Sequence, residues 1–280
     1  MNLNRPIYET LNQRLLYDDT RLGIELEYEG YAGDPIDDRL EYWSLVADHS
    51  LRNGGIEYVS VPLGRDDIAS ALAVAGDHIE DNGLEANARC GVHVHMNVMP
   101  WTWSQLWSFS AMYLILEPTI FRTFAPGREI SHFCVPSFCN TALTQMMQTD
   151  IQMLRRSRAR VLRPNLLECP KYSALNYKPI DRLGTIELRQ LLGTTDMLAV
   201  QRWCEFILAL QDKAMTFNDP MDVISSYEEI GLPGMAESVN IHTCDVDELD
   251  QEDADDAANL ICGYEPVRWQ ELEWEIKEVI

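Results

Sequence analysis

The sequence predicts an α+β protein built on a mainly antiparallel sheet. Two observations carry this. Short segments with apolar residues at every second position recur between residues 23 and 191. The links between them are sometimes turn-sized and sometimes have helical spacing. Turn-sized links join antiparallel neighbours, whereas a parallel pair needs a long crossover. The length of 280 residues and an apolar content of 46% allow one large domain or two small ones with a sizeable core.

Taken in order, the first strand is Gly23-Ile24-Glu25-Leu26-Glu27-Tyr28-Glu29. A turn-rich stretch, 30–38, follows it. Segments 41–47 and 55–60 read as strands, joined by the turn signal Asn53-Gly54-Gly55. Ile68, Leu72, Ala75 and Ile79 have helical spacing, which predicts a helix over 66–82 that stops at Asn82-Gly83. Segment 92–98 alternates and reads as a strand. Segment 103–124 reads as a helix, with Pro118 as a break or kink. Segment 141–157 reads as a helix leading into the basic run Arg155, Arg156, Arg158, Arg160 and Arg163. Segments 172–177 and 185–191 read as strands. Asp196 is placed to cap a helix reaching about Phe217, with Leu198, Trp203, Phe206, Ile207 and Leu210 on its apolar face. Beyond it, 245–259 reads as a solvated helix and 267–279 as an amphipathic one.

Composition shifts near Asn218-Asp219-Pro220, which divides the chain into 1–218 and an acidic helical extension, 219–280. The net charge is −23. Residues 219–280 hold 18 acidic against 2 basic side chains, so most of the acidity lies there. Such a balance argues against nucleic-acid binding and against an anionic membrane surface. Seven cysteines, an odd number without close pairing, fit a reduced cytoplasmic protein. The opening residues Met1–Pro6 have no apolar run of the secretory kind. The uncharged stretch Met96–Leu116 contains too many polar groups for a spanning helix and reads as a buried, tryptophan-rich one.

Five polar clusters stand out. In a strand, Glu25 and Glu27 share one face while Ile24, Leu26 and Tyr28 share the other. Closely spaced carboxylates suit a divalent cation; the plain alternative is an acidic face in water. The second cluster is Asp48-His49-Ser50-Leu51 with Gly55-Ile56-Glu57-Tyr58-Val59-Ser60. The third, Cys90 to Met96, places His93 and His95 on one face. They suit either a metal and a phosphate or a hydrogen-bonded pair beside the core. The fourth is Tyr172-Ser173-Ala174-Leu175-Asn176. The fifth runs from Thr185 to Thr194, with Glu187 and Arg189 at same-face spacing: a salt-bridged pair, or a metal carboxylate beside a guanidinium that holds a phosphoryl group.

In order, GIELEYEG, DHSL with GIEYVS, CGVHVHM, YSALN and TIELRQLLGTTD resemble the putative amidoligase family, carboxylate–amine ligases distantly akin to glutamine synthetase and glutamate–cysteine ligase. The resemblance spans about Gly23 to Trp203. His49 departs from the small residue usual there, Lys171 stands for a basic residue leading into the Leu-Asn pair, and Leu188 replaces a common aromatic. The resemblance implies a curved sheet with helices on its convex side and ATP with Mg²⁺, or Mn²⁺, on its concave face. It implies that 1–218 is the catalytic domain. Glu25, His93 and Glu187 would hold one ion; Glu27 and Glu57 would hold a second, with Asp48 a weaker candidate. Glu57, His95 and Arg189 would be catalytic, and His95, Arg189, Asn176 and Lys171 would contact the nucleotide. Glu29 has no matching role and reads as structural. The partners would be small-molecule or peptide carboxylates and amines, with homo-oligomers common among relatives.

Two other readings stay open. A metal-dependent hydrolase would also use a His-x-His strand, but needs further histidines; only His132 and His242 lie downstream. His132, Cys134 and Cys139 would lack a fourth zinc ligand. The third reading is a non-catalytic acidic binding module. No Gly-x-x-x-x-Gly-Lys-Ser/Thr segment is present, so a P-loop is not the phosphate cradle. The basic run 155–163 would either steer an anionic substrate or form a solvated face.

Overall fold

A computed structural model describes residues 4–32, 40–137, 170–242 and 248–262, with isolated positions at 143–149 and 246. Its centre is a six-stranded sheet. The strands are β1 (Leu22–Tyr28), β2 (Trp43–Ala47), β3 (Ile56–Ser60), β4 (Val92–Asn97), β5 (Leu175–Asn176) and β6 (Thr185–Leu188). Their spatial order is β2-β3-β1-β4-β6-β5, and each neighbouring pair is antiparallel. The β2–β3 hairpin turns through Asn53 and Gly54, both left-handed, a conformation these two residue types tolerate.

The strict alternation of β1 decides which face is core. Ile24, Leu26 and Tyr28 are fully buried, as are Ile56, Tyr58, Val92, Val94, Met96, Ile186 and Leu188 from its neighbours. They share one hydrophobic cluster with the helices Ile68–Asp81, Trp103–Phe124, Met197–Ala214, Pro220–Glu237 and Glu248–Cys262. The charged members of the same strands are left on the opposite face.

Trp103–Phe124 is the central helix, and most of its side chains are buried. Thr102 and Gln105 form a reciprocal capping box at its start. Pro118 lies inside the helix, so of the break or kink expected there the break does not occur. Asp196 caps the helix Met197–Ala214, its carboxylate accepting from the amides of Leu198 and Ala199. Pro220–Glu237 is a helical segment that the acidic composition had hidden, interrupted at Gly231 by a left-handed φ. Glu248–Cys262 is not solvated all round: Asp250, Ala254, Asp256, Ala257, Ala258 and Ile261 are buried. Arg122 from the central helix grips Asp250 with two nitrogens, and Thr119 donates to the same carboxylate. The strand expected over 172–177 shortens to Leu175–Asn176, because Ser173 instead bridges to Val135. The amphipathic segment at 267–279 and the arginines at 155–163 lie outside the described residues. No helix among the described residues is long and apolar enough to cross a membrane.

Candidate functional site

Register places the polar residues in one diagonal across the sheet. Glu27 on β1 stands opposite Glu57 on β3, and Glu25 stands opposite His93 on β4. His95 stands opposite Glu187 on β6, which stands opposite Asn176 on β5. Cross-strand partners share a face, so the segments that were polar in sequence become one polar surface.

The side chains converge. His93 Nδ1 lies 3.4 Å from Glu25, 3.6 Å from Glu187 and 3.8 Å from Glu27. His95 Nε2 lies 3.2 Å from the other Glu25 oxygen, and its Nδ1 meets Thr185 Oγ1 at 2.9 Å. The Gly91 amide donates to Glu27 at 2.7 Å. Asn176 donates its side-chain amide to Glu187 at 2.7 Å, and Arg189 Nη1 pairs with the other Glu187 oxygen. Asn176 therefore orients Glu187. Lys171 stands at the rim, its ammonium 5.5 Å from the Tyr172 ring centre. Glu29 is held by a bidentate ion pair with Arg89, by Asn87 and by the Arg52 amide, and it is tied into the loops rather than the row. Cys134, part of the zinc reading, is buried with Phe121, Ala125 and Ala174; Cys139 lies outside the described residues.

Glu25, Glu27, Glu57, His93, His95, Lys171, Glu187 and Arg189 line a cavity of about 480 Å³, which Asp48 also enters; Asn176 lies behind Glu187 and does not line it. Its electrostatics are those of crowded carboxylates. Burial, then the charges of Glu25, Glu27, Asp48 and Glu187, push Glu57 up to about 8. Burial also raises Glu27, against the opposing effects of His93 and the Gly91 amide. Burial acts on Glu25 in the same sense, but hydrogen bonds from His93 and His95 outweigh it and hold that carboxyl well below its ordinary value. For His95, burial opposes the charged form, yet the Glu25 contact and charge raise its pKa. Glu57 is thus raised first by its burial and then by the carboxylates around it.

The donor atoms fit hard divalent ions. Two sets of ligand atoms lie within 4.8 Å of one another: Glu25, His95 and Glu187, and Glu25, Glu57 and His93. Glu25 belongs to both sets. A second hollow of about 310 Å³ shares Glu25 and His95 with the cavity; Leu16, Tyr17, Val59, Pro62, Met99 and Leu183 give it apolar walls.

A family model described as putative amidoligase enzyme matches residues 19–211. The chain belongs to that family. The description is of a ligase that forms amide bonds, and the matched region carries the whole diagonal from Glu57 to Asn176. No curated protein matches the chain. Arg128 and Phe133 line the cavity and have no role there in the sequence pattern. Arg128 sits in a short 3₁₀ turn after the central helix; its signal was one cation following a long apolar run. Phe133 and Tyr172 stack edge to face at the mouth, a pairing between residues 39 apart that no local pattern reveals.

Proposed function

We propose that the chain is an ATP-dependent carboxylate–amine ligase that activates its acid as an acyl phosphate at a site for two divalent cations. The observation that supports this best is the convergence of Glu25, Glu27, Glu57 and Glu187 around His93 and His95, beside an arginine paired with Glu187. Such a row is costly without cations. Glu25, Glu27, Glu57, His93, His95 and Glu187 are the residues that would hold Mg²⁺ or Mn²⁺. Bound ions would offset the repulsion between a substrate carboxylate and the ATP phosphates.

The chain's own groups do the rest. Glu187 and Asn176 hold each other, which keeps Arg189 aimed at the cavity where charge develops on the γ-phosphoryl group. His95, fixed by Glu25 and Thr185, stands where the polar cavity meets the apolar hollow. A nucleotide has that same polarity, with phosphates at one end and a flat base at the other, so His95 would meet its phosphates. The substrate carboxylate attacks the γ-phosphate and ADP leaves. The amine then attacks the activated carbonyl, phosphate departs, and the amide remains.

A hydrolase would need more metal histidines, and neither His132 nor His242 lines the cavity. The test is ADP release by purified protein supplied with ATP, Mg²⁺ and mixed carboxylates and amines. Release should require both organic partners, and Glu25→Gln or Glu187→Gln should lower it at least 100-fold, on the scale of lost catalytic charge stabilisation. Full activity in Glu187→Gln would refute the assignment. A purified chain that binds neither nucleotide nor metal would favour a non-catalytic module.

A further inference from the structure

Arg128 is a buried cation at the cavity without a carboxylate partner among the described residues. Its Nε donates to the Arg189 carbonyl at 3.3 Å and its Nη1 to the Cys90 carbonyl at 3.2 Å. Both acceptors are neutral. Arg128 also donates to the Cys134 sulfur, and that thiol is neutral too, because burial pushes it up to about 12 despite the charge and hydrogen bond of Arg128. The other guanidiniums at the cavity are matched: Arg89 by Glu29 and Arg189 by Glu187.

The position of Arg128 is specific. Its Nη2 and His93 Nε2 both lie within 3 Å of the place a Cβ would take on Gly91, so the glycine is what lets the two groups approach. His93 turns its other nitrogen, Nδ1, to Glu25, Glu187 and Glu27. The imidazole therefore stands between the guanidinium and the carboxylate row. A guanidinium stays charged at any working pH, and burying it without an anion is costly. With the two carbonyl bonds and the bond to the Cys134 sulfur made, two of the five N–H donors remain, enough for a bidentate carboxylate. Leu51, Phe133 and Tyr172 supply apolar lining in the same cavity, suited to a short carbon chain.

We propose that Arg128 is a specificity residue for the acid substrate, and that this substrate is a dicarboxylate whose non-reacting carboxylate ends on Arg128. The inference rests on the ligase reading. One carboxylate must reach the γ-phosphate and Arg189; the second completes the charge of Arg128. Recognition is then a matter of length, since the spacer must bridge the two arginines.

The test is calorimetry on the full chain with Mg²⁺ and a non-hydrolysable ATP analogue. The probes are the straight dicarboxylates from malonate to adipate, each against the monocarboxylate of equal length. At least one dicarboxylate should bind tenfold or more tightly than its partner. Arg128→Gln should erase that preference and leave nucleotide affinity within twofold, while Arg128→Lys should keep part of it. Absence of the preference in the natural chain, or its survival in folded Arg128→Gln, would overturn the proposal. So would loss of nucleotide affinity in that variant, since Arg128 would then serve phosphate. Should Arg128→Gln fail to fold, the natural chain and Arg128→Lys decide between the same outcomes. Failure of the natural chain to bind the analogue with Mg²⁺ would instead count against the ligase reading itself.

Discussion

Glu57 is where the chemistry of the site is most exposed to measurement. Its folded pKa is raised to about 8, above the ordinary carboxylate value near 4.5 that the unfolded chain keeps. The folded state therefore holds a proton that the unfolded state has lost between those limits. Its contribution to stability is complete below about pH 4.5 and disappears as pH rises through 8. Glu25, shifted downward, contributes in the opposite sense and loses its share only in acid. Metal-free protein should thus lose thermal stability between pH 5 and 8, and Glu57→Gln should flatten that slope. Cation binding must expel the same proton, so Mg²⁺ affinity should rise with pH up to about 8. A flat affinity profile from titrations at several pH values would contradict the assignment. Glu29 is a contrast at this scale. The sequence offers no local reason to separate it from Glu25 and Glu27; Arg89, sixty residues away, does so by pairing with it.

At the scale of elements, periodicity carried most of the legible information. The alternation in β1 and β4 sorted core from site because a strand has only two faces. The order of strands was not legible, because nothing local tells β4 to lie between β1 and β6; that order is what brings His95 to Glu187. Pro118 predicts a break or a kink, and the central helix continues past it without a break. The Asp196 cap was readable because capping is local. Asp196→Ala should cost about 1 kcal/mol in chemical denaturation, and Asp196→Asn much less. Equal losses in the two would mean that the carboxylate charge, and not the cap bond, matters there.

For the whole molecule, composition misled in one direction. The acidity beyond residue 219 predicts a solvated helix over 245–259, yet the described helices there bury Val223, Tyr227, Leu232, Met235, Ala257 and Ile261 in the cluster that also backs the sheet. Net charge counts side chains and ignores which face they occupy. The buried Asp250 carboxylate, held by Arg122 and Thr119, links the helix Glu248–Cys262 to the central helix. Asp250→Asn should lower stability by about 2 kcal/mol by weakening a charged pair whose acidic partner is buried. Its unfolding should stay a single transition if these helices fold with the sheet, and an early separate transition would show that they do not.

The sheet's polar diagonal is the centre of the account, and a crystal structure grown with Mn²⁺ and a non-hydrolysable ATP analogue tests it most directly. Anomalous manganese peaks should appear bound by Glu25 together with His93, His95, Glu57 or Glu187, with the analogue's phosphates against them. Nucleotide bound at another face, or a carboxylate row that takes no manganese while the analogue is bound, would contradict it.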